Sequence, residues 1–423
     1  MKKGIVVIAG VSAVAVFGMW FTQNAYESSV TDALTRNADT YSNMGIKLEK
    51  NAIAASFTRI EDEYTLTLTE QFFDQMDMPA LYAESFDITI SNLCRVYPFY
   101  MSCENEFSLP EGTLPDEFVE KLQGFTYQAG WSFSPLTNSV SSYLNTDGFT
   151  VENDGTPLEV APLTLSSNSD LAFESLNTQM NWGGMTFNDS LTQIDIDNVN
   201  VNGDMTRLTG ITYLGTSTVS IDNMVFNTAD GESFSAKAIN VTSNTNEYET
   251  GKYDVRYVAT SSDMSIGGGA LPIDIAQLHT DIRLYGLSEK ALEMMNSFQG
   301  NFIEQQDMLT EMLNELGKNE PGLAIDNFSA SVNNVPVSIK GEITFDQFTA
   351  EDVDTGEIAA KSNAFLNGNV GKEVSTALPQ LVPMLDQYSQ MGMAEKDAEG
   401  NYTTEITIKD RTLSANGNVL QQF

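Results

Sequence analysis

From about Phe57 onward, apolar residues recur at every second position, and this alternation constrains the fold more than any other feature. Tyr64, Leu66 and Leu68 alternate with Thr and Glu, and Phe86, Ile88 and Ile90 alternate with Asp and Thr. The pattern returns at Ile194/Ile196, Val219/Ile221, Tyr253/Val255/Tyr257, Val335/Val337/Ile339 and Ile406/Ile408. A two-residue period gives each segment one dry face and one wet face, which is the signature of antiparallel sheet. Turn dipeptides fall between the runs at Asn202-Gly203, Asp230-Gly231, Asn367-Gly368, Glu399-Gly400 and Asn416-Gly417. The chain is expected to be mainly β, of the α+β kind, with a large bent antiparallel sheet region. A loose repeat, apolar-x-Ile-Asp-Asn-apolar, occurs at Ile194–Val199, Val219–Met224 and Leu323–Phe328, and its shift of parity predicts a bulge or bend at each Asp-Asn.

Two helical segments are expected near the C-terminus. Residues 287–316 place Ala291, Met295, Phe298, Phe302, Leu309, Met312 and Leu316 on one face, with Ser288 as cap and Gly317 as stop. Residues 365–393 carry Val374, Leu378, Leu381 and Leu385 on a stripe, divided by Pro379 and Pro383.

The N-terminus has its own grammar. Lys2 and Lys3 precede Gly4–Phe21, a stretch without a charged residue. As a helix it spans ~27 Å, close to the hydrocarbon thickness of a bilayer. Glu27 and Asp32 follow it, so the lysines place the N-terminus in the cytoplasm and the remaining chain outside. A cleaved signal peptide is the competing reading, although Gly-Met-Trp-Phe-Thr-Gln-Asn-Ala lacks small residues at alternate positions. The expected organisation is a cytoplasmic tip and single-pass transmembrane anchor (1–23), a helical stem (24–56) and a β-rich exported region (57–423).

Composition narrows the chemistry. The formal charge is −37, from 21 Lys and Arg against 58 Asp and Glu. Nucleic acid is therefore not an expected partner, because a phosphate backbone needs a basic footprint. One His and two Cys leave little material for a zinc site, an iron–sulfur cluster or a Ser-His-Asp triad, so no metal, cofactor or catalytic residue is assigned. Asn198-x-Asn200-x-Asn202-Gly203 begins like a calcium loop, but Thr209 stands where a bidentate Glu is required. The Gly267-Gly268-Gly269 run is followed by no Lys-Ser/Thr, and His279 has no second ligand beside it.

Cys94 and Cys103 bracket a ten-residue segment with Pro98 near its middle. In an oxidising compartment the pair would close a small ring, worth ~2–3 kcal/mol; two reduced core cysteines are the alternative. The Met-rich stretch 287–316 has two readings as well. It packs on the sheet as ordinary core, or it leaves an apolar groove lined by Met295, Phe298, Phe302, Leu309 and Met312.

Taken together, the apolar anchor, Val219-Ser-Ile-Asp-Asn-Met224, Tyr253–Tyr257, the Gly-Gly-Gly loop, the strand-to-helix switch at Leu284–Met295 and the tail Leu413-Ser-Ala-Asn-Gly-Asn-Val419 resemble the YdgA-like family of bacterial envelope proteins, a domain-of-unknown-function family. The resemblance runs best from about residue 200 to the C-terminus. It implies a single-pass inner-membrane protein whose bulk faces the periplasm, and it brings no active-site residues. The expected role is non-enzymatic: envelope maintenance or binding of an envelope protein partner, with a second copy of the chain as another candidate partner. Binding or transfer of lipid or acyl chains in an apolar groove is the alternative, and a hydrolase with dispersed carboxylates a lesser one.

Overall fold

The computed structural model describes residues 2–43, 45–75, 85–108, 125–153, 155–210, 212–268, 272–297 and 306–423. They are mainly β, in long antiparallel strands, with a few helical segments. The chain divides into two compact units, the first comprising residues 1–183 and 202–211, the second residues 184–201 and 212–423.

The first unit begins with a helix, Lys2–Asn43. Among the described residues no helix is long and apolar enough to cross a membrane. Of the expected anchor Gly4–Phe21, the side chains of residues 4–13 lie outside the described ones.

The expected helical stem of 24–56 is corrected: the helix ends at Asn43 and a strand, Ile46–Ser56, follows. Gly45 makes the break, with φ +70 in the left-handed region that ends helices without a Cβ penalty. Beyond it Ile46 and Leu48 alternate with Lys47 and Glu49, and Ile46 pairs with Leu68 of the next strand, Arg59–Thr69. The sheet continues through Ser85–Tyr97, Tyr100–Ser108, Tyr127–Ser134 and Ser139–Thr146, each antiparallel to the one before.

The core of this unit forms where the helix lies on the sheet. Tyr26, Ile60, Cys94, Val96, Met101, Cys103 and Phe133 are all buried together, with Met19, Ala25 and Val30 of the helix packed against them. Cys94 and Cys103 are cross-strand partners on adjacent strands, and their sulfurs are joined, S–S 2.06 Å.

The second unit is an antiparallel meander. Thr212–Thr228, Ser233–Glu249, Lys252–Gly267, Ile273–Leu287, Gly322–Val332, Val335–Phe345 and Ser362–Val370 pair in sequence, and Tyr402–Lys409 joins the last. At Leu323–Phe328 the register slips at Asp326, so that Asp281 faces Asn327 and Ile282 faces Ile325. The other two copies of the Ile-Asp-Asn motif meet side by side. Asn198, itself at φ +47, donates from Nδ2 to Asp222 (2.9 Å), and Asn223 donates back to Asp197 (3.2 Å). The repeated dipeptide thus supplies both halves of a reciprocal amide–carboxylate clasp.

Two of the turn dipeptides lie inside strands. Asn202-Gly203 falls within Thr192–Thr209, and Asn367-Gly368 within Ser362–Val370. There the glycines serve close contacts: a Cβ on Gly368 would meet Thr404 at 3.0 Å, and one on Gly203 would meet Met205 at 3.1 Å. For the same reason the expected helix over 365–393 starts late. Phe365 pairs with Glu342 and Thr407 in the sheet, and helical structure begins at Val374–Ala377 and resumes at Val382–Gln390. Val374 packs there with Val335 and Tyr402, flanked by Leu378 and Leu385.

Candidate functional site

An Asp on the buried face of an alternating strand is an expensive choice, and Arg59–Thr69 makes it. Ile60, Asp62 and Tyr64 point inward while Arg59, Glu61 and Glu63 point out. A buried carboxylate must find partners or protonate. Asp62 finds three. The Tyr26 hydroxyl donates a short hydrogen bond to its Oδ2, the Tyr64 hydroxyl donates to the same oxygen at 3.3 Å, and Lys50 Nζ stands 3.5 Å away. The two phenol oxygens are 3.0 Å apart, and the Lys50 ammonium lies over both rings, 5.4 and 5.6 Å from their centroids. Burial raises the Tyr26 phenol far above its ordinary value, with the neighbouring Tyr64 and Asp62 adding to it, and burial pushes Tyr64 up to about 12. Both rings therefore stay protonated and serve as donors. The second oxygen of Asp62 is buried with no hydrogen-bond partner.

Beside this cluster lies an apolar cavity of about 310 Å³. The helix closes one side with Tyr26, Ser29 and Val30; Leu48, Tyr64 and Ile90 line another; Trp131, Phe133, Val140, Leu171 and Phe173 complete it. Polarity enters through Asn92 and Asn105, which face each other across adjacent strands. Asn92 is buried, and the Oδ1 atoms of both side chains are buried without a hydrogen-bond partner. Such acceptors cost free energy unless something donates to them. The cavity is thus a hydrocarbon-lined hollow with two facing Asn side chains in its wall.

Sequence reasoning did not single out this site. The signal was present, because Asp62 and Asn92 interrupt inward-facing runs, Ile60-x-Asp62-x-Tyr64 and Ile90-x-Asn92-x-Cys94. Which helix would cover those positions is not readable from strand periodicity.

The expected groove on the Met-rich stretch lies in the second unit. Met295 is on the helix Glu289–Ser297, and Leu309 and Met312 are on the helix Gln306–Leu316, all half-buried. Phe298 and Phe302 lie outside the described residues. The two helices are tied together by Lys290 to Glu311 (2.5 Å), and Ser288 bonds both Glu315 (3.1 Å) and the Ala291 N–H (3.0 Å). A hollow of about 700 Å³ in this unit is walled by Asn327, Lys340, Asn367, Glu395 and Glu405 and is polar. Its Asn416 amide is already committed, accepting from the Glu405 N–H (2.8 Å) and donating to the Gly392 carbonyl (3.3 Å).

No curated protein and no solved structure matches the chain. Residues 108–421 match a family described as bacterial protein of unknown function (DUF945). The span takes in the second unit and the Trp131–Phe173 side of the cavity, while Tyr26, Asp62, Tyr64 and the Cys94–Cys103 bridge precede it. The chain belongs to the DUF945 family of bacterial proteins of unknown function.

Proposed function

We propose that this protein is a tethered, non-enzymatic envelope protein that holds a lipid-like molecule in the cavity between its N-terminal helix and the sheet of the first unit. The YdgA-like resemblance and the apolar run Gly4–Phe21 support a place in the bacterial inner membrane with the bulk of the chain in the periplasm. The joined sulfurs of Cys94 and Cys103 agree with an oxidising compartment.

The observation that carries the reading is an apolar wall with the two Asn side chains, Asn92 and Asn105, set into it. A hydrocarbon chain gains from contact with Val30, Ile90, Trp131 and Val140, and a polar group on the same ligand meets the side chains of Asn92 and Asn105. Beside the Asp62 carboxylate, the chemistry favours an acyl chain with a neutral or cationic polar head over one ending in a bare carboxylate. The neighbouring carboxylate of Asp62 is tied to Tyr26, Tyr64 and Lys50, so the arrangement offers shape and hydrogen bonding for binding.

Native mass spectrometry of the full chain, released from mild detergent, tests this. The expected result is an adduct of lipid mass that is lost in Val140→Trp, which fills the cavity, while the helix and sheet signals of that variant stay unchanged. A bare mass for the wild type, or an adduct equally retained by Val140→Trp, would overturn the assignment.

A further inference from the structure

We infer that the turn end of the first unit's sheet sits in the interfacial layer of the bilayer, an inference that rests on Gly4–Phe21 being the anchor. Three turns gather around residues 18–23 of the helix. Gln23 Nε2 donates to the Ser56 carbonyl beside the first turn (2.7 Å), and the Phe99 N–H of the second donates to the Gly18 carbonyl (3.4 Å). Ser134, at the start of the third, donates from Oγ to the Phe99 carbonyl (3.3 Å). Gly18 permits the close approach, since a Cβ there would stand 2.9 Å from both Pro98 and the Phe99 ring.

The surface around this junction combines two features. Large apolar and aromatic side chains stand out into solvent: Trp20 is 56 % exposed, Phe57 45 %, Tyr97 46 %, Tyr100 42 % and Leu136 72 %. Acidic residues are also missing. Residues 4–26, 51–60, 96–103 and 131–146 contain no Asp or Glu, although the chain has 58 of them. The charge these stretches do carry is Arg59, which faces Arg95 across the strand pair and is ion-paired with Glu61 (2.6 Å), one position past the second stretch's end. Elsewhere an acidic surface is repelled by anionic lipid; here an aromatic end poor in carboxylates, with Arg95 and the Arg59–Glu61 pair at its edge, meets the requirements of the headgroup region.

The levels agree. The apolar run ends at Phe21, and the Phe21 ring lies 6.3 Å from that of Phe99 at the hairpin tip. A bilayer spanned by Gly4–Phe21 therefore places its outer interface at the height of the three turns. The cavity, reached by the helix at Ser29 and Val30, then stands ~17 Å farther out, at 1.5 Å per helical residue from Gly18.

The test uses the full chain in phosphatidylethanolamine–phosphatidylglycerol vesicles, with a bimane label at Phe57→Cys, Leu136→Cys or, as control, Glu106→Cys on the strand Tyr100–Ser108. A nitroxide carried on the lipid headgroup is expected to quench the labels at positions 57 and 136 at least two-fold more than the label at 106. Equal, weak quenching at all three positions in a chain that floats with the vesicles would overturn the seating while leaving the anchor intact. Labels shielded from water but unquenched by lipid would assign the surface to a protein partner or a second copy, and would also overturn it. A chain that does not float overturns the anchor itself.

Discussion

The hydroxyl oxygens of Tyr26, on the N-terminal helix, and Tyr64, on the sheet, lie 3.0 Å apart and share one oxygen of Asp62. This contact makes the helix part of the first unit's core. Its residues 19–30 pack on Ile60, Val96, Met101 and Phe133, so the segment that would lead to the membrane also forms one wall of the cavity.

Tyr26→Phe removes a donor from a buried carboxylate and keeps the ring. A loss of ~1.5–3 kcal/mol in unfolding free energy is expected for a hydrogen bond to a charged group. Tyr26→Ala also leaves a void against Trp131 and Phe133, for a total nearer ~3–5 kcal/mol. Denaturant unfolding of the full chain in detergent measures both.

Alkaline pH addresses the same cluster. A free phenol titrates near ~10, whereas burial pushes Tyr64 up to about 12. The folded state thus holds a proton that the unfolded state releases. The contribution is fully present below pH ~10 and is lost as the pH rises toward the folded value. The denaturation midpoint should fall across that window in the wild type, and less steeply in Tyr64→Phe.

The Cys94–Cys103 bridge closes a loop with a sequence separation of 9. Chain-entropy arguments give ~2–3 kcal/mol for a ring of that size. The double variant Cys94→Ala/Cys103→Ala should lose about that much, and reductant should lower the wild-type stability while leaving the variant unmoved.

Acid should weaken the second unit through Asp281. Arg256 grips it with two hydrogen bonds, Nε to Oδ1 at 2.8 Å and Nη2 to Oδ2 at 2.5 Å, and so holds the Asp281 carboxyl below its usual range. A lowered carboxylate stabilises above its unfolded value of ~3.9, and that contribution fades as the pH falls below it. Because half of the Arg256 side chain is exposed, Arg256→Gln should cost only ~1 kcal/mol at neutral pH. The variant should also flatten the acid limb of the stability curve.

The strands were the legible part of this chain, because their dry faces alternate where the sheet is covered. Asp230-Gly231 and Asn416-Gly417 do turn, with Gly231 at φ +85 and Gly417 at φ +77. Asn202-Gly203 and Asn367-Gly368 do not, because local turn propensity yields where alternation carries on through the dipeptide; Asn367 and Gly368 find partners on both flanks, Lys340 and Ile339 on one side and Glu405 and Thr404 on the other. Asn333-Asn334, both at positive φ, makes a tight hairpin that carries no glycine to announce it. The cavity was least legible. It depends on Tyr26 meeting Asp62, 36 residues apart in the chain, and such a contact leaves only an inward-facing acid as its trace.

The most direct measurement follows Trp131, which lines the cavity. A dibrominated monoacylglycerol added to the full chain should quench the Trp131 fluorescence saturably. That component should vanish in Trp131→Phe and in the cavity-filling Val140→Trp, and the matching brominated fatty acid should bind more weakly. Quenching that does not saturate, or that persists unchanged in Trp131→Phe, would contradict the claim that the cavity takes an acyl chain.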